Sequence, residues 1–213
     1  MEIILDNIMP EPLASISHQK ESIWSNFTKI DGTKKNLLNA TSGKGKSTFT
    51  FLLAGLRNDY SGNIFFDQRN IRDFSAEDWA VIRQTKLSFV FQDLQLFPNL
   101  TVKENLLIKN QLQQTFSEEN LKSFLDALDI VHKWDEPCKF LSMGQQQRVA
   151  IIRSLCQPFE VLIMDEPFSH LDEANAQKCL QLITQRCDEL GAGFILTTLG
   201  DTYRYPFDNE LKL

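Results

Sequence analysis

The sequence predicts an α/β fold: a mostly parallel sheet with helices on both faces and a helical lobe inserted at approximately residues 93–145. Three observations carry this expectation. Val161–Met164 and Gly193–Thr198 are continuous apolar runs, as strands buried on both faces of a parallel sheet require. Leu37-Leu38 ends at a loop containing Gly and Ser, after which Ser47 opens a helical pattern. The stretch from about 93 to 145 carries helix-start signals between strand-like runs, which places it as an insert in the alternating order.

Taken in order, residues 1–35 contain Pro10, Pro12 and short apolar stretches that suit edge strands and turns. The helix opened by Ser47 is expected to run through Phe51, Leu52 and Leu56. Gly62–Asp67 reads as a strand around Ile64, Phe65 and Phe66. Ser75-Ala76-Glu77-Asp78 has the form of a capping box, and Leu87–Phe91 is a β-rich apolar run. Thr101-Val102-Lys103-Glu104 is a second capping box. Ser117-Glu118-Glu119 opens another helix, with Leu121, Phe124, Leu125 and Leu128 on one face. Further helices are expected from Gln145 to about Cys156 and over roughly Asp172–Leu190.

A chain of 213 residues suits one α/β domain, and 42% hydrophobic with 23% charged residues is the balance of a globular protein. The net charge of −6 argues against a general nucleic-acid binder, which carries a basic face. No run of 18 apolar residues spans a membrane, and Met1–Asp6 lacks the basic and apolar regions of a secretory signal. Cys138, Cys156, Cys179 and Cys187 form no Cys-x-x-Cys pair and read as reduced, packed thiols. A cytosolic protein is the expectation.

Residues Ala40-Thr41-Ser42-Gly43-Lys44-Gly45-Lys46-Ser47-Thr48 approach the phosphate-loop pattern G-x-x-x-x-G-K-[ST], with Ala40 where the first Gly belongs. The residue types follow from the chemistry. Consecutive backbone N–H groups and a helix N-terminus point at phosphate oxygens. Gly43 and Gly45 allow close approach and positive φ. Lys46 neutralises the β- and γ-phosphates, and Ser47 offers a hydroxyl to Mg²⁺. Lys44, at an unspecified position, reads first as a solvated charge and second as a supporting phosphate contact.

The apolar run Val161–Met164 ends in Asp165-Glu166. Such a strand aims its C-terminal residues at the ligand crevice of an open α/β sheet. Asp165 is expected near Mg²⁺ through a coordinated water, and Glu166 as acceptor of the attacking water's proton.

Leu141-Ser142-Met143-Gly144-Gln145-Gln146-Gln147-Arg148 resembles the LSGGQ signature of ATP-binding cassette (ABC) transporter subunits, and Ser142 stands 23 residues before Asp165. Phe91-Gln92-Asp93 is similar to that family's Q-loop, continued by Phe97-Pro98 and Leu100-Thr101-Val102. Ser169-His170-Leu171-Asp172 resembles its D-loop. The resemblance covers roughly residues 30–200. It implies a P-loop NTPase core of mostly parallel strands with an antiparallel β edge, and one nucleotide-binding domain over residues 1–213. It implies ATP binding and hydrolysis with Mg²⁺, and a second nucleotide-binding subunit, identical or different. It also implies a membrane permease as partner, with the chain cytoplasmic and peripheral on the inner face of the membrane.

Carried over by position, Ser142, Gly144 and Gln145 would touch the γ-phosphate of ATP held by the other protomer. Gln92 would reach Mg²⁺ and the attacking water and couple the site to the helical lobe, while Asp172 would lie at the dimer interface. Met143 replaces a Gly of the usual motif. The aromatic that relatives stack on adenine has no counterpart in residues 6–18, where Pro10, Pro12 and His18 stand. The switch histidine position is occupied by Leu199, within Thr197-Thr198-Leu199-Gly200-Asp201, which implies slow turnover. Ser75–Arg83 and Phe91–Leu106 look most like the lipoprotein-releasing and macrolide-export branch. The alternative is a degenerate cassette that binds ATP as a regulatory or assembly partner.

Overall fold

Residues 1–213, all described by a computed structural model, form nine strands and six α-helices. β1 (Glu2–Pro10) buries Ile3, Leu5 and Ile8 on one face, and pairs antiparallel with β2 (Phe27–Asp31). β3 (Lys35–Asn39) turns into a second sheet and delivers the chain to α1 (Lys46–Leu53). That helix is shorter than its apolar pattern predicts. Gly55 follows at φ 65°, a left-handed conformation that ends helices, so Leu56 lies outside and is exposed.

β4 (Tyr60–Phe66) and β5 (Arg69–Asn70) complete the first sheet, in the order β2-β1-β4-β5 with antiparallel pairing throughout. α2 (Ala76–Thr85) starts at the Ser75 capping box and leads to β6 (Leu87–Val90). The insert then supplies α3 (Val102–Asn110), boxed by Thr101 and Glu104, and α4 (Glu118–Ala127), boxed by Ser117 and Asn120. α5 (Met143–Leu155) begins two residues earlier than its first glutamine suggests, because Ser142 is the cap and Gln145 the reciprocal partner. β7 (Val161–Asp165), α6 (Glu173–Leu190), β8 (Gly193–Thr198) and β9 (Asn209–Lys212) follow. Asp172 caps α6, and Gly191 ends it at φ 63°.

The second sheet has the order β6-β7-β8-β3-β9 with every pair parallel. Alternation along its strands separates two cores. Leu37, Leu162 and Leu196 face the helical side with α5 and α6. Leu38, Ile163 and Ile195 face α1, whose Phe49, Leu52 and Leu53 bridge to Ile3, Leu5 and Ile64 of the antiparallel sheet. All four cysteines are buried and unpaired, and burial pushes the thiols of Cys156, Cys179 and Cys187 up to about 12. No helix is long and apolar enough to cross a membrane.

Candidate functional site

Parallel strands end together on one edge of a sheet, so the loops after β3, β7 and β8 converge. The loop after β3 holds Gly43 at φ 78° and Gly45 at φ 103°. These left-handed turns aim successive N–H groups to one side. The loop is backed by the segment after β1. A Cβ on Gly45 would lie 2.5 Å from Leu13 Cδ1 and 3.1 Å from the Trp24 ring. Trp24 is buried, and its indole N–H donates to the Lys44 carbonyl at 3.1 Å. Lys44 itself turns away and donates from Nζ to the Ser17 carbonyl at 3.0 Å.

Lys46 is only 5% exposed. Its ammonium donates to the carbonyls of Ala40 (3.0 Å) and Thr41 (3.2 Å) and lies 3.2 Å from Glu166 Oε1. A buried ammonium needs such partners, because leaving water unpaired is costly. Ser47 donates from Oγ to Gln92 Oε1 at 3.3 Å. Asp165 is buried and accepts a 2.7 Å hydrogen bond from the Thr197 hydroxyl. Burial pushes its carboxyl above the usual range and the neighbouring Glu166 charge adds to this, against hydrogen bonds from Ser47 and Thr197 and the charge of Lys46.

Glu166 sits at φ 47°, a left-handed conformation that costs a non-glycine residue about 1–3 kcal/mol. Its N–H is held by the carbonyl and hydroxyl of Thr197 at 3.3 and 3.2 Å. The strained turn swings its carboxylate off the strand axis and onto Lys46. Together Ser42, Gly43, Gly45, Lys46, Ser47 and Thr48 line a cavity of about 230 Å³ with Gln92, Glu166 and Leu13.

Ser142, Gly144 and Gln145 do not line that cavity. Ser142 Oγ accepts from the Gln145 N–H at 3.3 Å, and Gln145 Oε1 accepts from the Ser142 N–H at 2.9 Å. Met143 is exposed beside them. Asp172 caps α6 through the Asn175 N–H at 2.8 Å. Leu199 follows β8 directly and is 58% exposed.

The sequence singled out neither Thr197 as support for the acidic pair nor Gln147 as a bridge. Gln147 is buried, donates to the Ser169 hydroxyl and the Glu166 carbonyl, and accepts from the His170 N–H. Leu13 and Trp24 were also missed, since their roles depend on the loop they back. A threonine pair ending the apolar run Gly193–Leu196 was the available signal for Thr197.

Residues 30–169 match the ABC transporter family. The ATP-binding protein LolD of the lipoprotein-releasing system of Buchnera aphidicola (subsp. Schizaphis graminum) is 36% identical over 160 residues, covering 74% of this chain and 70% of the relative. The dimeric structure of MJ0796, described as a bacterial ABC transporter cassette, superposes with a TM-score of 0.81 at 26% identity, covering 99% of this chain and 94% of that one. The dimeric post-hydrolysis state of the same cassette, bound to ADP and Pi, gives 0.77 at 25% identity over 93% and 88% of the two chains. The phosphate-loop geometry at the strand ends, the family match and these likenesses agree: the chain belongs to the ABC transporter family, as an ATP-binding cassette.

Proposed function

We propose that the chain is one nucleotide-binding domain, residues 1–213, which hydrolyses ATP as the motor subunit of a transporter, pairs with a second cassette and drives a membrane permease. The observation that carries this is the meeting of Lys46, Ser47, Gln92, Asp165 and Glu166 at the ends of β3, β6 and β7. The N–H groups of Ser42–Ser47 and the Lys46 ammonium hold the β- and γ-phosphates, with Ala40, Thr41 and Thr48 shaping the loop and Lys44 at its rim. Binding phosphate draws Lys46 from Glu166 and leaves that carboxylate free to take a proton from water. The water oxygen bonds to the γ-phosphorus, the bond to the ADP oxygen breaks, and ADP and phosphate leave.

The site suits Mg²⁺ only in company with phosphate. It offers the Ser47 hydroxyl, the Gln92 amide oxygen and the buried Asp165, and no cluster of three His, Cys, Asp or Glu exists to cage a metal alone. The Ser47 hydroxyl and the Gln92 amide oxygen, with Asp165 through a water, would hold Mg²⁺, which would offset the charge of the phosphates.

Ser142, Gly144 and Gln145 stand at the N-terminus of α5, outside the protomer's own cavity, which supports their service to ATP held by a second cassette. A groove of about 490 Å³ between α1 and α3 supports the permease contact. Phe51, Leu56, Phe91, Phe97, Ile108 and Leu112 line it, with Arg83, Lys109 and Arg153 and no acidic residue. It fits an apolar membrane-protein segment bearing a carboxylate, which supports a peripheral position on the cytoplasmic face. The net charge of −6 supports a nucleic-acid-free role.

Leu199, directly after β8, offers no hydrogen bond from the position where relatives carry the switch histidine, which supports turnover slower than an imidazole there would give. The same feature favours the second reading, a cassette that binds ATP and turns over little. Sedimentation and phosphate release test both. Glu166→Gln with MgATP should sediment as a dimer without releasing phosphate, and adding Ser142→Arg should return it to monomer. Wild-type phosphate release equal to that of Glu166→Gln overturns hydrolysis in favour of the second reading. A Ser142→Arg protein that still dimerises overturns the sandwich.

A further inference from the structure

The protomer's own site has no imidazole. Of three histidines, His18 is bound through Nε2 to the Leu13 carbonyl at 2.9 Å, and His132 lies in a short turn of the helical lobe. The third, His170, is exposed on the loop between β7 and α6. It is held as a working side chain would be. Gln147 accepts the His170 N–H at 3.0 Å through Oε1, which fixes the backbone. Gln147 Nε2 donates to the Ser169 hydroxyl oxygen at 3.1 Å and to the Glu166 carbonyl at 3.4 Å, which fixes the amide's orientation. The Ser169 hydroxyl accepts from Gln147 and lies 3.0 Å from His170 Nδ1, where its proton can be donated. In the tautomer that accepts at Nδ1, the ring carries its proton on Nε2. The result is an oriented donor facing solvent.

That donor stands beside the signature. A Cβ on Gly144 would lie 2.9 Å from the His170 carbonyl oxygen, so the two backbones touch. The face presenting Ser142 and Gly144 therefore has the His170 backbone as its neighbour, with the His170 side chain exposed. In the sandwich proposed above, on which this inference rests, that face covers the phosphate loop of the second copy. We infer that His170 donates from Nε2 to the γ-phosphate of ATP held by a second copy of this chain, supplying across the dimer the contact that Leu199 cannot make in its own site. The Gln147 bridge to the Glu166 backbone would join the base of one site to the donor serving the other.

Two tagged copies co-expressed and purified through both tags test this, read by single-turnover hydrolysis of pre-bound MgATP. Each is measured against the pair of wild type and Glu166→Gln, which has one intact site. The pair of His170→Ala with Glu166→Gln should match that standard, because the intact Glu166 still receives His170 from its partner. The pair of wild type with the double variant His170→Ala/Glu166→Gln should fall about 10²-fold, the usual loss for one oriented donor to a transition state. Leu199→His added to the wild-type copy of that second pair should restore most of the loss. The reverse pattern, with the first pair slow and the second intact, overturns the proposal, since a structural or same-site role for His170 gives that result. Equal rates in both pairs overturn it as well. Wild-type homodimer activity indifferent to Glu166→Gln marks instead the failure of the underlying hydrolysis reading, and the inference falls with it.

Discussion

Lys46→Ala is the most direct probe of the site. The ammonium has three partners in the free protein, two carbonyls and the Glu166 carboxylate, and is 5% exposed. ATP must compete with this arrangement, so what Lys46 contributes to binding is the difference between phosphate and those partners. A charge-assisted hydrogen bond is worth about 1.5–3 kcal/mol net. At 1.36 kcal/mol per factor of ten, that is a loss of affinity of roughly 10- to 150-fold. Calorimetric titration with MgATP reads it directly. The Glu166→Gln background separates the two terms. Removing the carboxylate frees Lys46 for phosphate, so Glu166→Gln alone should bind MgATP at least as tightly as wild type. Lys46→Ala in that background should lose more affinity than in wild type. Unchanged affinity in Lys46→Ala, with the fold verified by circular dichroism, would refute the assignment of the loop. An equal loss in both backgrounds would refute competition between Glu166 and phosphate.

Gly45→Ala should destabilise the protein and abolish tight ATP binding, because its φ of 103° is costly for alanine and the new methyl meets Leu13 and Trp24. Gly43→Ala, at φ 78° with no atom within 4 Å of the methyl, carries the backbone cost alone, so Gly45→Ala should melt several degrees lower than Gly43→Ala. Equal melting temperatures would show that Leu13 and Trp24 yield freely. Asp165→Asn should stabilise the nucleotide-free protein at pH 7. The folded carboxyl titrates above its ordinary value of 3.8, so the native state favours the protonated form and loses stability as pH rises through the folded pKa. The amide escapes that loss, and its advantage should shrink as pH falls toward 4 in urea melts. A constant difference across that range would mean that the carboxylate is not strained by burial.

Local rules made much of the molecule legible from its residues. Capping boxes at Ser75 and Thr101 and the start signal at Ser117 marked three helix starts, because a cap and its partner lie within one turn. Val161–Met164 and Gly193–Thr198 announced doubly buried strands because every position is apolar or small. The phosphate loop was readable because its chemistry demands particular residues at fixed spacing. Tertiary structure decided what depends on distant partners. β9 escaped notice, and β1, in a stretch read as edge strands, lies between β2 and β4, because pairing supplies what their own sequences do not declare. Leu37 and Leu38 are alike in sequence, yet the pleat sends one toward α6 and the other toward α1. The pairing of Lys46 with Glu166 joins residues 120 positions apart, and only the parallel order β7-β8-β3 brings their loops together. The orientation of His170 by Gln147 and Ser169 likewise exists only once α5 packs beside the loop after β7. Sequence specifies contacts within a turn or a strand; contacts across the sheet are set by which strands become neighbours, and that choice belongs to the whole core.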